Sequence, residues 1–229
     1  ADNWLSTPVV IDDALFVKVI SQQNTLVHAL FTTGRNLGAV ASGTAGFFES
    51  FQSPAEMARH ELEATQKMRE LGLNTPEPIE AFEAEGYGVV VFEYLPAFRS
   101  LDALDPETES WVAEELFAAL RTLHDAGLAH GDLRAENVLL LDDELYFIDA
   151  TSVDGDAQEG IRSYDLACAL AAVEPILGTR ATVAAADASY PTADLLAAAD
   201  FLHFVQLRPD HDFAAAGLRS EIEHRAATE

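Results

Sequence analysis

One cysteine, Cys168, occurs in 229 residues. A lone cysteine excludes an intramolecular disulfide framework and a four-cysteine zinc site. It stands in an alanine-rich stretch and is expected in the core as a small apolar side chain. Basic residues are also scarce. Thirteen Lys and Arg stand against 39 Asp and Glu, only Lys18 and Lys67 are lysines, and the net charge is −26. So acidic a surface repels phosphate backbones, which argues against general nucleic-acid binding. Long apolar runs are missing too. None reaches the roughly 18 residues of a membrane-spanning helix. No charged-then-apolar leader opens the chain, so a cytoplasmic protein without a membrane span is expected.

What is present is the material of a normal core. Apolar residues make up 49% of the chain and the charges are dispersed, so a folded chain is expected. A chain of this size buries about 70% of its unfolded surface and needs no disulfide or metal staple. It amounts to one domain or two small lobes. An acid-rich, lysine-poor surface over such a core suits the very salty cytoplasm of a halophile, where counter-ions screen self-repulsion.

The first half reads as strands around one strong helix. Pro8-Val9-Val10-Ile11 and Ala14 to Ile20 form a hairpin across Asp12-Asp13. Residues 21–52, punctuated by Gly34, Gly38, Gly43 and Gly46, read as an insertion in which Thr25 to Phe31 fits either helix or strand. Ser53, Pro54 and Glu56 then form a capping box with proline in the first turn, and Gly72 closes the helix. Strands are expected over Ile79 to Phe82 and Tyr87 to Tyr94, joined through Glu85-Gly86. Pro96 marks a boundary between a strand-rich part, residues 1–95, and a helical part, 96–229. There the pattern predicts a helix from Asp105-Pro106 to Asp125, with Trp111, Leu116, Leu120 and Leu123 on its apolar face. A hairpin follows over Val138 to Leu141 and Leu145 to Ile148, then helices at about 162–176, 192–206 and 212–226.

The chemistry concentrates in His130-Gly131-Asp132-Leu133-Arg134-Ala135-Glu136-Asn137, between a helix and a strand. Asp132 and Asn137 are five residues apart, the H-x-D-x-x-x-x-N spacing of kinase catalytic loops. That spacing sets a carboxylate beside an incoming hydroxyl and an amide oxygen beside a metal. Tyr146-Phe147-Ile148-Asp149 then ends a strand on an aspartate, 17 residues after Asp132, able to reach back to Mg²⁺ bridging phosphates.

On these motifs the chain resembles the protein-kinase-like superfamily, and within it the compact atypical members: the RIO kinases, the small archaeal kinase of the KEOPS tRNA-modification complex, and the lipopolysaccharide-core kinases. HGDLRAEN is similar to their HGDL-type loops, and YFIDATSV to the RIO metal loop, with Asp149-Ala150-Thr151 in place of D-F-G. The resemblance covers residues 8–175. It implies an α+β, two-lobed protein-kinase-like fold with a small strand-rich N-lobe and a helical C-lobe. It also implies ATP and Mg²⁺ as cofactors. Asp132 becomes the catalytic base, Asn137 and Asp149 the metal ligands, and Lys18, in its apolar strand Phe16-Val17-Lys18-Val19, the lysine that pairs phosphates. Glu93 and Leu95 of the hinge-like Val89 to Leu95 would meet the adenine edge, with Phe92 behind it. Asp165 matches the buried aspartate that anchors the catalytic loop, and Arg134 is placed to steady the transferring phosphate.

The lysine needs a carboxylate from the capped helix, and the helical period chooses between two. Relative to Met57, Glu61 lies about 40° round the helix, inside the stripe Met57, Ala64, Met68 and Leu71. Glu63 lies about 240° round, on the opposite face. A carboxylate on a buried face needs a cationic partner, so Glu61 is expected to pair with Lys18.

The chain departs from the family twice. No G-x-G-x-x-G precedes Lys18, so either a phosphate-covering loop lies upstream of Ala1 or it is absent, with the glycines of Gly34 to Gly46 a candidate substitute. Asp149 and Asp165 are only 16 residues apart and no A-P-E follows, which leaves no room for an ordinary peptide-docking activation segment. The expected activity is an ATP- and Mg²⁺-dependent phosphotransferase acting on a Ser/Thr hydroxyl, or an ATPase switch. The alternatives are a sugar or alcohol kinase of the lipopolysaccharide-kinase type and a non-catalytic ATP-binding module in a larger assembly.

Overall fold

The computed structural model describes residues 6–26, 29, 51–105, 110–150, 159–207 and 212–228. An antiparallel sheet of order β1-β2-β4-β3 comes first, from β1 (Thr7–Ile11), β2 (Leu15–Ile20), β3 (Pro78–Ala84) and β4 (Tyr87–Glu93). Helix α1 (Pro54–Glu70) packs on it. A second antiparallel sheet follows, of order β5-β6-β7, from β5 (Arg99–Ser100), β6 (Val138–Leu141) and β7 (Glu144–Phe147). The helical part comprises α2 (Trp111–Asp125), α3 (Glu159–Leu177), α4 (Thr179–Asp187), α5 (Thr192–Ala199), α6 (Leu202–Gln206) and α7 (Ala215–Ala226), with α2 against β7 and α3 in contact with each of the other five. The fold is therefore α+β, with an antiparallel N-terminal sheet and a helical C-terminal part. Among the described residues no helix is long and apolar enough to cross a membrane.

Three tight turns join these hairpins, each with acidic residues at positive φ: Asp12 and Asp13, Glu85 before Gly86, and Asp142 and Asp143. Positive φ at both central residues gives the turn the twist of its flanking strands, and Asp adopts it more readily than most residues. In β4, Gly88 is required by close approach. A Cβ there would stand 2.0 Å from the Pro54 carbonyl oxygen, so only glycine lets the start of α1 lie on the strand.

The α1 N-terminus is built by side chains. Ser53 Oγ accepts the Glu56 amide at 3.1 Å. Glu56 reaches one residue further back than a standard capping box, accepting the Gln52 amide at 2.7 Å. At the other end the Gly72 amide bonds Arg69 O and the Leu73 amide bonds Met68 O, satisfying carbonyls the helix leaves over. Between its ends α1 serves two cores. Met57 and Ala58 pack with Ile20, Val90 and Phe92 of the sheet, whereas Ala64 and Met68 join the core of the helical part. Glu61 sits where the two meet.

The helical part departs from expectation in three places. Helix α2 is described from Trp111, so its expected start at Pro106 lies outside the described residues. Its inner face is Val112, Leu116, Phe117, Leu120 and Leu123, whereas Trp111 is 37% exposed. A helix unforeseen in the sequence, α4, follows Gly178. The stretch expected as one helix over 192–206 is two, α5 and α6, parted at Asp200 and Phe201. At the centre lies α3. It is apolar nearly all round, as a helix covered on every side must be, and Cys168 is fully buried within it. Most of the expected 21–52 insertion, including Gly34 to Gly46, lies outside the described residues, and so does Thr151.

Candidate active site

Three segments distant in sequence meet at Lys18. Strand β2 carries it on the face turned to α1, and its side chain is 7% exposed. Lys18 Nζ donates to Glu61 Oε1 at 2.6 Å and also to Asp149 Oδ1. Glu63 is exposed, so the helical phase selects between the two glutamates as the period predicts. Burial by itself would lower the lysine's pKa. The adjacent carboxylates of Asp149 and Glu61 overcome it and hold the ammonium well above its ordinary range. Burial pushes the Glu61 carboxyl upward, against the pull of Lys18.

Asp149 follows β7 with φ +62°, a left-handed conformation uncommon for a non-glycine residue. Its carboxylate lies against Lys18 of β2. The Ile148 amide bonds the Asn137 carbonyl at 3.1 Å, so the end of β7 is tied to the end of the His130–Asn137 loop. Within that loop Asn137 Nδ2 donates to the Asp132 carbonyl at 2.8 Å. This spends the donor end of the amide across the loop and leaves its oxygen as the acceptor end. Asn137 and Asp149 thus offer one amide oxygen and one carboxylate. Such a hard-oxygen set fits Mg²⁺, which takes few protein ligands and fills its sphere with phosphate oxygens and water.

The loop is suspended from α3. Asp165, 0% exposed, accepts the amides of His130 and Gly131, the latter at 2.8 Å. Gly131 has φ +81°, which glycine adopts freely, and this lets two successive amides face one carboxylate. Burial holds the His130 imidazole below its ordinary pKa, hence neutral. Asp132 is 4% exposed. Arg134 Nη2 lies 3.2 Å from Asp132 Oδ2, and Arg134 Nη1 contacts Glu136 Oε1. Beside the loop a cavity of about 420 Å³ is lined by Asp102, Leu104, Arg134, Glu136, Pro175 and Ile176 among others.

At the far end of β4, Phe92 and Leu95 are buried and Glu93 is exposed. The Glu93 amide bonds Glu77 O and the Tyr94 amide bonds Ala14 O, both at 2.9 Å, which fixes the course of this edge. The structure therefore brings Lys18, Glu61 and Asp149 into contact, and joins Asp132, Arg134 and Asn137 through the loop. Two residues that sequence reasoning passed over, His124 and Tyr190, lie behind Asp165. A signal existed for the first: His124 is a polar residue next to Leu123 on the apolar side of α2.

The RIO domain family matches residues 49–161. The KEOPS complex subunit Bud32 of Pyrococcus abyssi is 32% identical over 98 residues, covering 41% of this chain and 43% of that protein. The match thus spans under half the length of that relative. Among solved structures, the kinase–methyltransferase WbdD superposes with a TM-score of 0.45 at 16% identity, covering 93% of this chain and 42% of that one. The Drosophila melanogaster PAN3 pseudokinase gives 0.44 at 18% identity, covering 93% and 58%.

Proposed function

On the premise that this chain is an atypical protein-kinase-like protein, we propose that it transfers the terminal phosphate of ATP to a hydroxyl. The acceptor is a Ser/Thr side chain, its own included, or water if the protein works as an ATPase switch. The observation that carries the reading is Lys18 held between Glu61 and Asp149, beside a loop whose Asn137 is bonded back to Asp132. Residues 1–95 would then form the lobe supplying Lys18 and Glu61, and 96–229 the lobe supplying the loop and Asp149.

In this reading Asp132 accepts the proton of the attacking hydroxyl, which approaches from the cavity reaching the loop at Arg134. Arg134, on the Asp132 carboxylate in this structure, is placed to exchange that partner for the transferring phosphate. Lys18, oriented by Glu61, holds the phosphate chain. The edge at Glu93 and Leu95 receives the adenine. Asn137 and Asp149 would hold Mg²⁺, which when bound neutralises phosphate charge. Little covalent chemistry is asked of the protein, so the acceleration comes from positioning and electrostatics. The Pyrococcus relative is by name a subunit of a complex, and we extend to this chain a place in a larger assembly.

Transfer from labelled ATP to the chain itself, to protein acceptors and to sugars tests the reading, with Asp132→Ala as the control. The variant should lose turnover while keeping ATP affinity, because the base touches the acceptor rather than the nucleotide. Turnover within threefold of wild type, roughly 0.6 kcal/mol of barrier, removes Asp132 from the role.

A further inference from the structure

Behind Asp165 a line of hydrogen bonds leads away from the nucleotide side. His124, in the last turn of α2, puts Nε2 3.5 Å from Asp165 Oδ2. Its Nδ1 lies 3.0 Å from the Tyr190 hydroxyl. Both residues are 4% exposed. Burial, with Asp165 nearby, holds the Tyr190 phenol well above its ordinary pKa, so it keeps its proton. The hydroxyl can then donate to Nδ1, which goes with the tautomer whose Nε2–H faces Asp165. The outer end of the line is clamped as well. The Tyr190 ring meets His124 edge-on at 5.8 Å, and the Arg121 guanidinium lies 5.5 Å over the same ring. Arg121 is held by Asp125 at 2.8 Å and Asp194 at 3.1 Å.

We infer that Tyr190 is a positioning residue for the catalytic loop, acting through His124. It steadies the Asp165 carboxylate, which takes the His130 and Gly131 amides and so sets where Asp132 stands. An aspartate's terminal torsion is soft and roughly two-fold. The Gly131 amide bonds Oδ1, while the His130 amide and His124 Nε2 both face Oδ2, so the histidine adds a third restraint at the oxygen that takes the His130 amide. In a buried setting each bond of such a line strengthens the next, and removing one donor leaves its acceptor unsatisfied. The step from Asp132 to phosphate transfer rests on the function proposed above, whereas the restraint of the loop does not.

The test is Tyr190→Phe, which keeps the ring and removes one atom. Ile222→Val, a core change in α7 where Ile222 is fully buried, serves as the stability control. Amide exchange at His130 and Gly131, followed by NMR, should quicken about tenfold in Tyr190→Phe beyond any change in the control. The kcat should fall by about the same factor with the KM for ATP unchanged. His124→Gln, which retains an N–H towards Asp165, should keep more of both than His124→Leu. Exchange at these amides that matches wild type or the control would overturn the inference. Quickened exchange with unaltered kcat would overturn the link to Asp132. If wild type transfers no phosphate, the proposed function fails, and the exchange result still decides the restraint.

Discussion

Lys18 and Asp149, 131 residues apart in sequence, form an ion pair. The lysine shared between Asp149 and Glu61 is the single cation against two carboxylates in these contacts, and both partners of its tighter-buried pair are shielded from water. A site so arranged has negative charge to spare, which the proposed Mg²⁺ would neutralise.

Lys18→Met should therefore abolish most phosphate transfer. It should also destabilise the fold, because Glu61 would stay buried without its counter-charge. Breaking such a pair costs roughly 3–5 kcal/mol, less where the carboxyl takes up a proton. Glu61→Gln should cost less activity, since Lys18 keeps Asp149. Transfer assays with thermal melts check both, and wild-type transfer in Lys18→Met would remove the lysine from the mechanism.

Asp149→Asn should weaken Mg²⁺-dependent ATP binding without weakening metal-free binding, because it removes one charge from the proposed metal side and one carboxylate from Lys18. Titration of ATP with and without Mg²⁺ is the measurement. Equal Mg²⁺ dependence in variant and wild type would exclude Asp149 as a ligand.

Gly88→Ala places a methyl 2.0 Å from Pro54 O. The obstacle is backbone, so the start of α1 must move away from β4. A loss of about 1–3 kcal/mol is expected, as for other overpacked sites. Because α1 carries Glu61, phosphate transfer should fall as well. An unchanged melting temperature would show that α1 lifts freely at this end.

With 39 acidic and 13 basic residues, self-repulsion should limit stability in dilute buffer. The melting temperature should rise between dilute buffer and molar KCl as the screening length shortens to about 3 Å. A flat or falling dependence would show that the surface charge is not what limits the fold.

Local signals determined a good part of this protein. Ser53, Pro54 and Glu56 placed the start of α1, and from that start the helical period put Glu61 rather than Glu63 on the face of Lys18. Asp12-Asp13, Asp142-Asp143 and Glu85-Gly86 marked the hairpin turns, and the spacing of Asp132, Asn137 and Asp149 marked the loop and the strand end. These succeed because capping, turn conformation and periodicity act over a few residues. Tertiary structure decided the rest. Nothing within 192–206 announces the break at Asp200 and Phe201. No glycine or proline stands there, and Phe201 and Leu202 at the break are buried in the core. Likewise Trp111 fits the helical pattern but stays exposed, since the core lies against Val112 and Leu116. The contacts of Lys18 with Asp149 and of His124 with Asp165 and Tyr190 join residues 41 to 131 positions apart. Such pairs are set by how α2, α3 and the end of β7 pack, because desolvation makes a buried charge or hydroxyl find its partner only after the chain has closed around it.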